Sequence, residues 1–341
     1  MKKITADWLK RATGVTLIEL MVAMAIGAFL MVGAMTVFMH SRTSFQVNES
    51  ISRLQENTRF VLDVIEPDIR MASYFGLTSR SSKIANDATP LDPVPAGLGV
   101  VSDCGVNWTI DLAMEVDGSN NGYGWACAAF GTNGAQPQAD TLMIHRVSED
   151  PIVALQADTM YLQTARFRDS QIFVGNAVPA GFVAATSQTH ALMVSGYYVS
   201  QNSSLDTPGN PVPSLRLKTL RGGLPGGPQI VDQEILPGVE DFQVQFGVDT
   251  TLIGGVNRGS INRYVNPGDP IITVGDPAFL PDAQILAIRI WVRARAERPE
   301  NGYTDTAAYV YADQNVPAFN DQIRRTVITK TIYLRNARGP V

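Results

Sequence analysis

The chain of 341 residues has little of the chemistry from which catalytic and metal sites are built. It contains three histidines, which are far apart in the sequence, and two cysteines. These residues do not form a metal-ligand spacing pattern. The sequence also has no Gly-x-Ser-x-Gly elbow, no phosphate-binding Gly-Lys loop and no His-Glu-x-x-His motif. We therefore expect a protein that is not an enzyme and that holds no cofactor or metal.

Charged residues are also sparse, at 17% of the chain, and the formal net charge is −5. An acidic chain argues against a protein that mainly binds nucleic acid, although it leaves room for a local basic patch. Apolar residues make up 45% of the sequence, which excludes the composition of a disordered chain. The many glycines and prolines (29 and 20) indicate a globular protein rich in loops.

One long apolar run is present, and it begins near the N-terminus. Residues 1–14 form a short basic leader, and between Val15 and Met39 the only charged residue is Glu19. At about 1.5 Å per residue this run spans roughly 30 Å of hydrocarbon as a helix. We therefore predict a transmembrane helix over residues 15–39, with the basic leader on the cytoplasmic side and the rest of the chain outside the cytoplasm.

The order of residues at this run differs from that of a secretory signal peptide. A signal peptide places small residues after its apolar core, whereas Gly14 precedes the run here. A carboxylate inside the bilayer costs on the order of 3 kcal/mol, so Glu19 indicates a function beyond anchoring. An uncleaved signal anchor is the plain alternative.

The sequence Gly14-Val-Thr-Leu-Ile-Glu-Leu-Met21 closely resembles the class III leader junction of type IV pilins and type II secretion pseudopilins. Val15 stands where that family usually has Phe. The resemblance implies that a prepilin peptidase removes residues 1–14 and N-methylates Val15. It also implies that Glu19 pairs with the N-terminal amine of a neighbouring subunit in the assembled filament, because two buried charges are tolerated only as a pair.

Beyond Met39 the helical pattern becomes amphipathic. Apolar residues recur every three, four or seven positions as far as Ala72, which predicts one N-terminal helix over residues 15–75. Pro67 should kink or end the regular helix nearby, and Gly76 is a plausible stop. Residues 54–60 and 68–74 resemble PilW-type minor pilins.

Residues 76–341 carry the period-two alternation of strands, which predicts a β-rich globular domain. The two longest strands, 284–296 and 324–336, are expected to be antiparallel neighbours packed on the amphipathic helix. Residues 254–281 are expected to form a long loop. Residues 236–250 and the ending 334–336 also resemble PilW-type proteins. The predicted fold class is α+β, a long N-terminal helix on a mainly antiparallel β-rich periplasmic domain. The other predicted strands are 141–147, 160–164, 171–174, 190–200, 214–220, 229–235 and 242–248.

Three side-chain groups in this domain call for an interpretation. Cys104 and Cys127 are predicted to form a disulfide in the oxidising periplasm, with free buried thiols as the alternative.

Residues 117–122 match half of a calcium loop, but position twelve is Ala128, so an Asn-Gly-rich turn is favoured. The predicted strand 284–296 alternates apolar residues with a basic face that we expect to meet acidic groups in the domain or on a partner, nucleic-acid binding being less favoured. This face carries Arg289, Arg293 and Arg295.

The resemblance as a whole implies a minor pilin that helps to prime type IV pilus assembly in a tip complex. Its implied partners are other minor pilins, the major pilin, the prepilin peptidase, the inner-membrane assembly platform and a PilY-type tip adhesin. It implies a single-pass protein of the inner membrane that later enters the pilus at the cell surface. Two alternatives remain: a large minor pseudopilin of type II secretion, and an adhesive or ligand- or DNA-binding module displayed on the pilus.

Overall fold

A computed structural model describes residues 14–78, 81–113, 116–207 and 209–336. The leader residues 1–13 lie outside the described residues. The chain divides into two compact units, Met1–Ser52 and Arg53–Val341. Helix α1 (Leu17–Met71) supplies the described helical part of the first unit and opens the second.

Helix α1 continues through Pro67 and ends soon after it, at Met71, so the predicted end near Pro67 is confirmed but the helix is not interrupted at Pro67 itself. A proline removes one backbone donor, but the side chains on either side of it are held to the strands, because Glu66 pairs with Lys330 and Asp68 pairs with Arg146. Glu66 forms ion pairs with Arg70 and Lys330. The helix also ends before Gly76, because Ser73 already adopts a left-handed φ of 66° and its N–H donates to the carbonyl of His145 at 3.2 Å.

The described residues outside α1 form strands and loops, apart from a short 3-10 turn at Ser81–Lys83. The strands are β1 (Ile84–Ala85), β2 (Val116–Asp117), β3 (Leu142–Val147), β4 (Met160–Ala165), β5 (Ser170–Val174), β6 (Ser187–Ser200), β7 (Ser214–Arg221), β8 (Gln229–Pro237), β9 (Val239–Asp249), β10 (Arg263–Val265), β11 (Gln284–Arg295), β12 (Tyr309–Tyr311), β13 (Gln314–Val316) and β14 (Arg325–Tyr333).

The strands form two main sheets and a hairpin. The larger sheet has the order β1-β5-β4-β6-β3-β2, and β7 and β8 extend it from β6. Strand β6 is long enough to pair with three others, using its first part for β4 and its later residues for β3 and β7. The second sheet has the order β10-β9-β11-β14, with antiparallel pairs throughout, and β12 pairs with β13. The predicted α+β class with mainly antiparallel sheets is therefore confirmed.

The main core joins residues of the second sheet, of the part of α1 that belongs to the second unit, and of strands β3, β6 and β7 of the larger sheet. Val61, Ile65 and Ile69 are fully buried and belong to the same apolar cluster as Phe242 and Ile290. Each buried side chain of this size stabilises the fold by about 1.5–3 kcal/mol. The expected packing of the amphipathic helix on neighbouring strands β11 and β14 is confirmed.

A second apolar cluster lies beside the larger sheet and is closed by loop residues between β1 and β3. It contains Phe75, Ile110, Leu112, Leu162 and Ile172, all fully buried. This cluster is the support for the irregular, cysteine-containing segment of the chain.

Candidate functional site

The predicted processing and assembly residues lie together at the start of α1. Gly14, Val15 and Thr16 precede the helix, and Glu19 lies in its first turn. The Glu19 carboxylate accepts hydrogen bonds from the N–H and Oγ1 of Thr16, each at 3.4 Å, and Thr16 Oγ1 accepts one from the Glu19 N–H at 3.3 Å. This reciprocal arrangement is a capping box, which satisfies donors that the helix start leaves free.

The sequence analysis missed the role of Thr16, although the pattern was present. A capping box is written Ser/Thr-x-x-Glu/Gln, and Thr16-Leu-Ile-Glu19 fits it. In the single subunit, Glu19 therefore has a local role as well as the predicted role in a filament. Its carboxylate is exposed, so it is open to a partner charge.

Within the described part of the first unit, residues 14–46 present a largely apolar, exposed surface. All residues from 14 to 46 are exposed, including Phe29 at 80% and Leu17 at 77%. By length and composition α1 is able to cross a membrane. Exposed apolar surface of this extent on a single helix requires lipid or other helices around it.

The two cysteines form a disulfide, Cys104–Cys127, as predicted from the oxidising compartment. The loops around it are also held by other contacts. The Ala126 N–H donates to the carbonyl of Cys104 at 2.8 Å, and the rings of Trp108 and Trp125 pack edge to face with centroids 5.5 Å apart. The bond thus crosslinks two segments that flank an aromatic cluster.

We expect the double variant Cys104→Ser/Cys127→Ser to unfold with a free energy lower by about 3 kcal/mol, because the bond closes a loop of this length in the unfolded chain. The measurement is denaturant unfolding of the purified protein, with and without reductant. The wild type should lose stability on reduction, whereas the double variant should not respond. Equal stability of the oxidised wild type and the double variant would contradict this account.

The basic face of β11 is neutralised inside the domain. Arg293 Nε donates to Glu240 at 3.3 Å, and Arg295 Nη1 lies 3.9 Å from the same carboxylate. The expectation that these arginines meet acidic groups is therefore confirmed for both. Arg289 differs, because its guanidinium stacks on the ring of Tyr264 at 3.6 Å and donates to Thr331.

These contacts belong to a buried ion network centred on Arg325, which sequence reasoning did not find. Arg325 donates to Glu240 at 2.7 Å, to Asp305 at 3.1 Å and to Asp321 at 2.8 Å. Its side chain is 3% exposed and that of Asp305 is 0% exposed. Burial lowers the pKa of Arg325, but the hydrogen bonds to Asp321 and Glu240 outweigh burial and raise that pKa above its usual value. The guanidinium thus remains charged and holds three carboxylates.

We expect Arg325→Met to lower the free energy of unfolding by about 3–5 kcal/mol, because it leaves buried carboxylates without their cation. The control is Lys83→Met, which removes one half of an exposed ion pair with Asp169 at 3.8 Å. That change should cost less than about 1 kcal/mol. Urea unfolding of both variants measures the difference, and equal losses would contradict a structural role for the network.

The remaining sequence candidates lie apart from one another. His145 and His190 are buried and bonded to backbone carbonyls, of Trp108 at 3.0 Å and Ser148 at 2.8 Å. The half calcium motif forms a turn in which Asn121 has a φ of 54° and donates its N–H to Asp140 at 2.8 Å. Within the described part of the chain, no three His, Cys, Asp or Glu residues are grouped so that they could hold a metal ion.

Two family models match the chain. Residues 196–336 match the Type IV Pilus-assembly protein W family, and residues 9–35 match the prokaryotic N-terminal methylation motif. The first match begins within β6 and includes the whole second sheet. It therefore starts well before residue 236, where the C-terminal segment that resembles this family begins, and it does not include the resembling segments 54–60 and 68–74. The second match includes Gly14, Val15 and Glu19.

Solved structures are also similar to the chain, whereas no curated protein sequence matches the chain. The type IV-like pilin TTHA1219 from Thermus thermophilus has 13% sequence identity and a TM-score of 0.34. The alignment covers 83% of this chain and 96% of that chain. At that TM-score the likeness carries no weight, and the assignment depends on the two family models. A helix with the methylation motif that is able to cross a membrane, followed by a domain that matches the pilus-assembly protein W family, supports a PilW-type minor pilin of the type IV pilus.

Proposed function

We propose that this chain is a subunit of the tip complex that primes pilus assembly. In this proposal a prepilin peptidase cuts after Gly14 and methylates Val15, and the protein waits in the inner membrane with its domain in the periplasm. It then joins other minor pilins, and the filament grows beneath them. We propose no catalytic role for the chain.

The observation that carries the proposal is the exposed, largely apolar surface of residues 14–46, most of which belong to α1. Such a helix is stable in lipid before assembly and among other apolar helices afterwards, because both environments exclude water from it. The same surface supports a filament subunit better than a plain anchor, since it carries Glu19 in its first turn. A plain anchor has no use for that carboxylate.

A second feature agrees with a minor subunit and not with the major one. Major pilins usually have a proline midway along this helix, and this chain has Thr36. Thr36 Oγ1 donates to the carbonyl of Gly33 at 2.8 Å, and α1 runs unbroken through this point. The departure at Thr36 favours a minor subunit.

The test of the tip role is the number of copies of the chain in each filament. A tip subunit keeps a constant number per pilus, so its ratio to major pilin in sheared pili should fall as pili become longer. Deletion of the gene should reduce the number of pili. Quantitative mass spectrometry on length-sorted pili, with gold labelling of filament ends, gives both quantities.

Other outcomes would overturn the tip role in specific ways. A constant ratio to major pilin, with label along the whole shaft, would place the chain in the shaft. Normal piliation together with loss of protein secretion and co-purification with pseudopilins would favour the large pseudopilin of a type II secretion system.

A further inference from the structure

The basic face of β11 leaves one arginine without an acid. Arg293 and Arg295 both lie near the carboxylate of Glu240, at 3.3 and 3.9 Å. Among the residues that the structure describes, no carboxylate lies within ion-pair distance of Arg289, and its Nε alone has an acceptor, Thr331 Oγ1 at 3.1 Å. A guanidinium is always charged and presents a planar fork of donors, so the two Nη groups of Arg289 are left to bind an acceptor from outside.

The fold holds this guanidinium in a fixed position. Its Cζ lies 3.6 Å from the centre of the Tyr264 ring, in addition to the hydrogen bond to Thr331. The ring reaches Arg289 because Gly247, the partner of Tyr264 in the neighbouring strand, has no side chain. A Cβ added to Gly247 would lie only 3.1 Å from Cε1 of Tyr264. A charge that is already held in place loses little conformational freedom on binding, which favours affinity.

The outer face of the sheet around Arg289 is open to a partner. Neither Nη atom of Arg289 is a buried atom that lacks a hydrogen-bond partner, so both reach solvent. Trp291 follows on the same face with its ring centre 5.8 Å from the Cζ of Arg289. Its Nε1 also reaches solvent and has no acceptor in the described part of the chain. On the adjacent strand β14, Tyr333 points to this face and is 65% exposed. Arginine, tryptophan and tyrosine are the residue types that contribute most to protein–protein binding.

We propose that Arg289 and Trp291 form a docking site for an acidic segment of a partner protein. A Glu or Asp carboxylate of that segment accepts hydrogen bonds from both Nη groups, as in bidentate arginine–carboxylate pairs. Charge complementarity supports this partner, because the site offers a cation and free donors and lacks an acid of its own. A protein segment also contacts the indole and Tyr333 at the same time, whereas a small anion reaches only the guanidinium. The proposal does not depend on the tip role, so either can fail without the other.

The probe is acetylated tetraglutamate amide, titrated against the full-length protein in non-ionic detergent and followed by saturation-transfer NMR. Salt at about 0.1 M screens the net negative charge of the chain. We expect saturable binding with a dissociation constant on the order of millimolar, because a short flexible peptide must be ordered on binding. The matched tetraglutamine peptide has no charge and should bind at least about tenfold more weakly.

Three outcomes of this titration would overturn the proposal. The first is equal binding of the two peptides, and the second is no saturable binding of tetraglutamate. The third is inorganic phosphate that binds as tightly as tetraglutamate, because the site would then be a simple anion site without a role for a peptide.

Variants at Thr329 place the binding on this face. Thr329 is exposed and lies opposite Trp291 on β14, so a longer side chain there is tolerated by the fold. Thr329→Glu puts a carboxylate diagonal to Arg289, within reach of its guanidinium. We expect it to weaken tetraglutamate binding at least about fivefold, whereas Thr329→Gln, of the same size without the charge, should change binding less than about twofold. Equal effects of the two variants would contradict the assigned site.

A second pair of variants removes the cation itself. Arg289→Gln should weaken tetraglutamate binding at least about fivefold, because it removes the bidentate donor. The control is Arg298→Gln, an exposed arginine in the loop after β11, which should change binding less than about twofold. Thermal unfolding shows whether each variant is folded, and the Thr329 pair decides the question if Arg289→Gln is not. Undiminished binding by folded Arg289→Gln protein would refute the docking site.

Discussion

Replacing Gly14 with Val should leave the uncut precursor in the membrane and reduce the amount of this protein in sheared pili at least about tenfold. In the proposed processing the cut bond follows Gly14, and a stiff β-branched side chain at that position is expected to obstruct the peptidase. In the structure Gly14 lies outside α1, and a Cβ added there meets no heavy atom within 4 Å. The substitution therefore leaves the fold intact, and the defect is in processing. Intact-mass analysis of membrane and pilus fractions measures it.

Gly33→Val is the matched control, since Gly33 is also free of contacts around its Cβ position. It lies within the apolar helix, and its product should begin at N-methylated Val15 as in the wild type. Mature protein beginning at Val15 in the Gly14→Val strain would contradict the cleavage site. An intact Met1 terminus on wild-type protein from pili would do the same.

Replacing Glu19 with Ala should leave insertion and processing normal while reducing pilus number or the rate of priming. Removing a carboxylate from an apolar helix lowers the cost of insertion. In a filament the N-terminal amine of a neighbouring subunit would lose its partner charge, at a cost of several kcal/mol. A subunit at the very tip has no neighbour above it, so the effect on that subunit is smaller than on a shaft subunit. Fractionation of membranes and counting of pili measure the two steps separately.

Glu19→Gln separates the charge from the capping box. Glutamine keeps the bonds to Thr16 but has no charge, and loss of the cap alone costs only about 1 kcal/mol. If glutamine restores normal piliation and alanine does not, the helix cap explains the phenotype and the charge pair is wrong. If the Glu19→Ala protein disappears from the membrane as well, Glu19 serves insertion or stability.

The long elements could be predicted from the sequence because each contains enough residues to show a repeating pattern of apolar and polar positions. The alternation in β11 predicted a strand over 284–296, and the structure has Gln284–Arg295 with Ile288, Ile290 and Val292 fully buried. Strand β9 was similarly clear. In both cases local alternation agrees with the buried face of the sheet.

The short strands could not be predicted, because two or three residues are too few to show an alternation of apolar and polar positions. Residues 254–281 were expected to be a loop, but they contain β10, which exists because Arg263–Val265 pair with residues 246–248 of β9. The ion network around Arg325 could not be predicted from the sequence for a related reason. The arginines were visible in the strand pattern, but Glu240 and Arg325 are 85 positions apart, and only the register of the sheet brings them together.

The division of α1 between two units determines where this protein can be cut to give a water-soluble fragment. A fragment that begins after Met71 removes Val61, Ile65 and Ile69 from the main core and uncovers the face of the second sheet. A fragment that begins at Arg53 keeps those side chains and discards the bare apolar turns. The boundary between the exposed apolar part of the chain and the globular unit therefore lies inside one continuous helix, about five turns before the C-terminal end of that helix.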